Sequence, residues 1–267
     1  MSTEAIPPGT RAAIEAALDA VEREEGVAIL FAAESGSRAW GFPSPDSDWD
    51  IRFVYARPTD WYLTLNPGRD VIERMLPGDM DMAGWDARKA LNLLLAGNVA
   101  LREWLHSPIL YRADDALLAA FRDLAALAPA RATARHHYRS LASKSDALHL
   151  ADRPAVKLKK YLYAVRPALA LRWLREHPSG EPPMDLPSLL AGVTLDAAMR
   201  ADLQDLLERK RVASELGEGP RIPSLDALIR DEIEAARSDE SRTLPDAARL
   251  AAEALHRTCI AHADSRR

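Results

Sequence analysis

The sequence predicts an α+β protein: a small mixed sheet with flanking helices over residues 1–110, followed by an all-helical lobe over 111–267. Three observations lead there. Residues 27–33 (VAILFAA), 49–56 (WDIRFVYA) and the runs at 71–76 and 80–85 have strand length, and the second alternates polar with large apolar positions. From residue 87 onward the apolar spacing becomes that of helices. Inside the second part, Pro178–Pro187 (PSGEPPMDLP) is the clearest linker, and no internal repeat is visible.

Taken in order, residues 9–24 form an Ala-rich helix with Ile14, Leu18 and Val21 along one stripe. The strand at 27–33 stops in the small residues Ser35, Gly36 and Ser37, which read as a loop. A Pro-punctuated turn then leads into 49–56. Strand side chains alternate between faces, so Trp49, Ile51, Phe53 and Tyr55 point to the core while Asp48, Asp50 and Arg52 share the other face, with Val54 the exception. Thr59 caps a short helix through Leu65, ended by Asn66-Pro67-Gly68. The runs at 71–76 and 80–85 form a hairpin around Pro77-Gly78-Asp79.

Asp86 caps a helix over 87–96, with Gly97 at its C-terminal position, and Asn98 opens another to Leu105 before Pro108. Helical periodicity returns at 114–127, 131–151 and 154–176, the last opening on Pro154 and kinked at Pro167. Further helices are expected at 187–192, 195–214, 224–237 and 244–263.

With 267 residues the chain can bury a sizeable core, and 48% hydrophobic with 28% charged residues excludes disorder and fibrous repeats. No apolar stretch approaches the roughly 20 residues that span a bilayer. The start MSTEAIPPGT lacks the regions of a signal peptide, and the single Cys259 cannot form an internal disulfide, so a cytoplasmic protein is expected. Cys259 lies on an apolar helix and should be buried and inert. Net charge is −5, but residues 131–175 hold eleven Lys or Arg against two acids, Asp146 and Asp152. That segment suits phosphates, of a nucleotide or an RNA backbone; a solvated helix face is the plain alternative. His136-His137 has no Cys or acidic partner at ligand spacing, and no Ser-His-Asp, Cys-His, Walker-type or dinucleotide fingerprint is present.

The chemistry concentrates between residues 34 and 55. Asp48 and Asp50 side by side on a strand face repel unless a cation sits between them. Mg2+ takes oxygen ligands and is commonly held by one or two carboxylates plus substrate phosphates. Gly36 and Ser37, ending the neighbouring strand, add backbone N–H groups and a hydroxyl suited to a phosphate chain. Together they outline a nucleoside triphosphate site.

Gly36-Ser37-Arg38-Ala39-Trp40-Gly41 followed by Ser47-Asp48-Trp49-Asp50-Ile51-Arg52 resembles the signature of polymerase-beta-type nucleotidyltransferases. The likeness is to the predicted nucleotidyltransferases of that superfamily associated with RNA repair pathways. It continues through Gly84-Trp85-Asp86-Ala87-Arg88-Lys89-Ala90-Leu91, Gly97-Asn98, Glu103-Trp104-Leu105-His106-Ser107-Pro108, and Lys157 to Pro167 with Arg172-Trp173, covering about residues 25–195.

The resemblance implies a polymerase-beta-type catalytic lobe, then a helical substrate-binding lobe that closes over the nucleotide. The implied reaction is two-metal transfer of a nucleoside monophosphate from an NTP to an acceptor hydroxyl, with Mg2+ or Mn2+ as cofactor. RNA is the favoured acceptor; an adenylylated protein or small molecule, or a nucleotide sensor without turnover, are the alternatives. Such chemistry asks for a third carboxylate beside Asp48 and Asp50: Asp81 in the strand at 80–85, with Asp79 in the turn and Glu73 on the preceding run as alternatives. Gly36, Ser37 and Arg38 would hold the triphosphate. Lys160, Tyr163 and Arg166 would bind the nucleotide from the helical lobe, where Trp173 reads as core.

Overall fold

The computed structural model describes residues 6–212, 217–237 and 243–266. Contacts divide the chain into two units, one built from residues through 39, 48–130 and from 243 onward, the other from 40–47 and from 131 to the end of the described segment at 237. In chain order the elements are α1 (Pro8–Glu25), β1 (Ala28–Glu34), α2 (Gly36–Ala39), β2 (Trp49–Ala56), α3 (Thr59–Tyr62), β3 (Val71–Leu76), β4 (Met80–Asp86), α4 (Ala87–Leu95), α5 (Val99–Leu105), β5 (Leu110–Ala113) and α6 (Asp115–Leu127). They continue with α7 (Arg131–His149), β6 (Ala155–Lys157), α8 (Lys159–Glu176), α9 (Leu186–Gly192), α10 (Ala197–Val212), β7 (Glu218–Pro220), α11 (Pro223–Ala235) and α12 (Asp246–Asp264).

The first unit is organised by a five-stranded mixed sheet in the order β3-β4-β2-β1-β5. β2 and β4 run parallel, and every other neighbouring pair is antiparallel. The alternation in 49–56 explains one side: Ile51, Phe53 and Tyr55 are buried with Ile29, Ala32 and Met82 against the Ile14, Leu18 and Val21 stripe of α1. Burying each such side chain contributes about 1.5–3 kcal/mol. Val54 breaks the alternation because the opposite face is covered too, by α4, α5, α6 and α12. A register shift between Ile29 and Phe31 turns both Leu30 and Phe31 toward that second core.

Caps fix the crossover geometry. The Asp86 side chain accepts from Arg88 N–H at the start of α4, and Asn98 does the same for Leu101 N–H at α5. The C-terminal α12 belongs to this unit: Ala248, Ala252, Leu255, Cys259 and Ala263 recur every three or four residues and bury one stripe in the second core. Burial pushes the Cys259 thiol up to about 12, as an inert core cysteine requires.

The second unit packs α8 against α7 and α11. Buried Glu232 of α11 accepts from Arg172 (2.6 Å) and Arg175 (2.8 Å) of α8. Tyr161 donates to Asp226 (2.8 Å) and accepts from Ile222 N–H (2.9 Å). The segment 40–47 joins this unit through Trp40 and Phe42, whose rings meet Tyr163 edge-on at 6.1 Å each. Half-buried Trp173 stacks on His177.

The structure departs from the sequence expectations in several places. The contact division does not fall at 110/111, since β5, α6 and α12 complete the first unit. Gly36–Ala39 is a helical turn rather than a loop, and the helix from Thr59 stops at Tyr62 instead of Leu65. The stretch from 154 opens as β6, paired with β7, and α8 begins only at Lys159, so the second unit is not all-helical. Of the helix expected over 195–214, α10 spans Ala197–Val212 and positions 213 and 214 lie outside the described residues.

Candidate active site

The parallel pairing of β2 with β4 sets Asp50 opposite Asp81. Both carboxylates reach one nitrogen of Arg52, at 2.9 Å from Asp50 Oδ1 and 2.7 Å from Asp81 Oδ2. The other terminal nitrogen of Arg52 donates to the carbonyls of Asp81 (2.8 Å) and Ile51 (3.1 Å). Arg52 thus clamps β2 to β4 at the level of the two acids. Asp48 lies just before β2 and is exposed. Burial holds the Asp50 carboxyl above its ordinary range, with the Asp81 and Asp48 charges adding to it and Arg52 and Arg38 opposing.

Gly36 abuts Asp50. A Cβ built there would lie 1.9 Å from Asp50 Oδ2, and its φ of +61° is one that glycine adopts without strain. Beside it, Ser35 N–H donates to the Asp50 carbonyl (2.8 Å), carrying the β1–β2 ladder into α2. Ser37 is half-buried on α2. Arg38 is held from two sides: Nε donates to the Asp48 carbonyl (3.1 Å), and the guanidinium lies 3.7 Å from the centre of the Trp49 ring. Trp49, read from its alternation as core-facing, is half-buried: it packs against the α1-side core and also forms that platform.

The alternatives for a third carboxylate separate on geometry. Asp79 occupies the turn with φ +55°, its carbonyl accepting from Trp49 N–H (2.8 Å). Glu73 is exposed and engages Arg69 (2.9 Å). Asp81 is the one in register with Asp50.

Sequence reasoning does not single out Glu34, yet it is fully buried at the end of β1. Its Oε1 accepts from Asp50 N–H (3.0 Å) and its Oε2 from the Tyr111 hydroxyl (2.6 Å). Burial pushes its carboxyl up to about 7. The available signal is a carboxylate closing an otherwise apolar strand.

Lys160, Tyr163 and Arg166 all lie on α8 in the second unit. Lys160 sits over the Tyr163 ring (5.2 Å), and Tyr163 is 36% exposed. Arg166 is buried, donates to the Met184 carbonyl (2.9 Å) and covers the Trp40 ring (4.6 Å). Much of the 131–175 charge is likewise committed internally: Arg131 to the Leu174 carbonyl, Arg139 to that of Ile233, Arg172 and Arg175 to Glu232. Lys144, Arg153 and Lys157 are exposed.

Among the described residues no group of three or more His, Cys, Asp or Glu is gathered in ligand geometry. The pair Asp50–Asp81, which already holds one cation in Arg52, nevertheless offers the hard oxygen donors that Mg2+ takes when substrate phosphates supply the rest.

The model of the RNA repair pathway DNA polymerase beta family matches residues 10–261, extending past the motifs to nearly the whole sequence. The chain belongs to that family. It is also 39% identical over 217 residues to the uncharacterized protein YcgL of Bacillus subtilis (strain 168), covering 81% of this chain and 83% of that protein. Membership in the RNA repair pathway DNA polymerase beta family points to a polymerase-beta-like nucleotidyltransferase acting with NTP and nucleic acid. Among the described residues no helix is long and apolar enough to cross a membrane.

Proposed function

We propose that this member of the RNA repair pathway DNA polymerase beta family transfers a nucleoside monophosphate from an NTP to an acceptor hydroxyl, an RNA end in repair, and releases pyrophosphate. The observation that carries the reading is the Asp50–Asp81 pair in register on β2 and β4 with Gly36 against Asp50. Asp48, Asp50 and Asp81 would hold Mg2+ or Mn2+. When bound there, the cation would supply Lewis-acid neutralisation of the charge on the phosphates.

The chain's own groups position and neutralise. The absence of a side chain at Gly36 lets the Asp50 carboxylate come up against the α2 turn, where the α2 N–H groups and Ser37 would be the donors to a phosphate chain. Arg38, fixed by the Asp48 carbonyl and the Trp49 ring, keeps positive charge beside that chain without having to be ordered on binding. Within the second unit, Lys160 lies over the Tyr163 ring and Arg166 holds Trp40. The acceptor oxygen bonds the α-phosphorus, the bond to the β-phosphate oxygen breaks, and the hydroxyl proton is released.

The test is incubation of the full chain with each α-labelled NTP, Mg2+ or Mn2+, and mixed cellular RNA, beside an Asp50→Asn control. Label entering RNA with the wild type only supports the reading and names the nucleotide. Label on protein or a small molecule moves the acceptor, and NTP binding without product makes the chain a sensor.

A further inference from the structure

Glu34 is the one charged position of β1, and it is fully buried. All seven positions of β1 are buried, and the other six are apolar. A carboxyl there is expensive unless every oxygen is satisfied. Here each is. Oε2 takes the Tyr111 hydroxyl from β5, and Oε1 takes the backbone N–H of Asp50. The main chain of Glu34 is pinned as well, its N–H donating to the Ile109 carbonyl (3.0 Å) and its carbonyl accepting from Ser107 Oγ (2.6 Å). A line of hydrogen bonds therefore runs from β5 through the Glu34 side chain to the main chain of the residue that carries the central carboxylate.

We infer that Glu34, held by Tyr111, is a positioning residue that fixes the backbone of Asp50 and thereby aims its carboxylate at the shared site with Asp81 and Gly36. This rests on the reading that Asp50 holds the cation in the transfer reaction. The role belongs to the Oε1 acceptor and not to charge: a glutamine keeps that oxygen for Asp50 N–H and turns its amide nitrogen to the Tyr111 oxygen. Without the acceptor, Asp50 N–H is buried beside an apolar side chain and the strand must shift to find a partner. Partners that orient a metal ligand without touching the metal are worth ~10–100-fold in affinity or activity.

The experiment compares full-length wild type with Glu34→Gln, Glu34→Met and Tyr111→Phe. Mn2+ affinity is read by electron paramagnetic resonance with Mn2+ alone, kcat and KM by transfer of labelled NMP, and folding by thermal melts. Expected are near-wild-type values for Glu34→Gln, and for the other two a loss of ~10-fold or more in Mn2+ affinity and in kcat, with KM for NTP within about threefold. Tyr111→Phe removes only a hydroxyl, so it reports even where Glu34→Met folds poorly. Wild-type Mn2+ affinity and kcat in folded Glu34→Met or Tyr111→Phe overturn the inference while leaving the transfer reading intact. So does a loss in Glu34→Gln as large as in Glu34→Met. A wild type that neither binds Mn2+ nor transfers overturns both. A wild type that binds Mn2+ without transfer removes the transfer reading alone, and the affinities then decide the role of Glu34.

Discussion

Asp50 and Asp81 stand opposite one another on parallel strands, and a single nitrogen of Arg52 bonds both. Like charges directly across a strand pair repel, and the guanidinium offsets that repulsion where no other cation is present. A divalent ion bound there, as proposed, would compete with Arg52 for the same two carboxylates. Replacing Arg52 with Met should lower stability by about 1–3 kcal/mol, the worth of hydrogen bonds to charged groups. In a chain of this size that is a fall of several degrees in Tm. Millimolar Mn2+ should then raise the Tm of R52M more than that of the wild type, because a ligand stabilises most where its site is otherwise uncompensated. Thermal melts in EDTA and in Mn2+ measure this; equal increments for the two proteins would show that Arg52 does not stand in the cation's place.

Two glycines should respond differently to the same substitution. In Gly36→Ala the new methyl meets Asp50 Oδ2 at 1.9 Å on a backbone with φ +61°. The strain is of order 1–2 kcal/mol, but the greater effect should be on transfer, which displacement of the Asp50 carboxylate should lower at least ~10²-fold. In Gly84→Ala the methyl meets the Phe53 ring at 2.1 Å inside the sheet, away from the carboxylates. Overpacking of that kind costs about 1–3 kcal/mol or more. Comparing Tm with specific activity separates them: G36A should lose activity out of proportion to stability, whereas G84A should lose stability first.

Glu34 gives a pH dependence whose sign can be worked out. Burial raises its carboxyl from an ordinary 4.5 to about 7 in the folded chain. Between those values the folded state holds a proton that the unfolded state has lost, so this group's contribution is fully present below about 4.5 and is lost as pH rises to about 7. At about 1.4 kcal/mol per pH unit the change is on the order of 3 kcal/mol. Chemical denaturation of wild type and Glu34→Gln in EDTA across pH 4.5–8 measures it. The difference in stability should swing toward the glutamine variant as pH rises, and a pH-independent difference would contradict the burial argument.

Much of this was legible because it is local. The period-two pattern of 49–56 identifies β2 and the face carrying Asp50 and Arg52, while Asp86 and Asn98 announce their helices by capping chemistry. What depends on partners distant in sequence was not. β5 is four residues long and becomes a strand only by pairing with β1. Lys157 reads as helical until Glu218 is brought opposite it. Arg52 shares a strand face with Asp50, but only the β2–β4 register shows that it also reaches Asp81. Tyr111 carries no signal at all until it meets Glu34.

The same distinction governs which fragments should fold. A chain ended at residue 110 keeps the signature motifs but loses Tyr111 with most of β5, the Leu117, Leu118, Phe121 and Leu124 face of α6, and the α12 stripe. Each large apolar side chain removed from that core takes away about 1.5–3 kcal/mol, against a total stability of roughly 5–15 kcal/mol for a typical domain. The 1–110 fragment should therefore show no cooperative melt by circular dichroism. Deleting only residues 246–267 should already destabilise the first unit, since Ala248, Ala252, Leu255 and Cys259 leave the core and Thr59 loses the Asp264 carboxylate that its N–H and hydroxyl engage. A point substitution tests the step without truncation. Leu255→Asp should lower Tm by ten degrees or so, consistent with several kcal/mol for an unpaired charge in an apolar site, and an unchanged Tm would mean that α12 does not pack in this core.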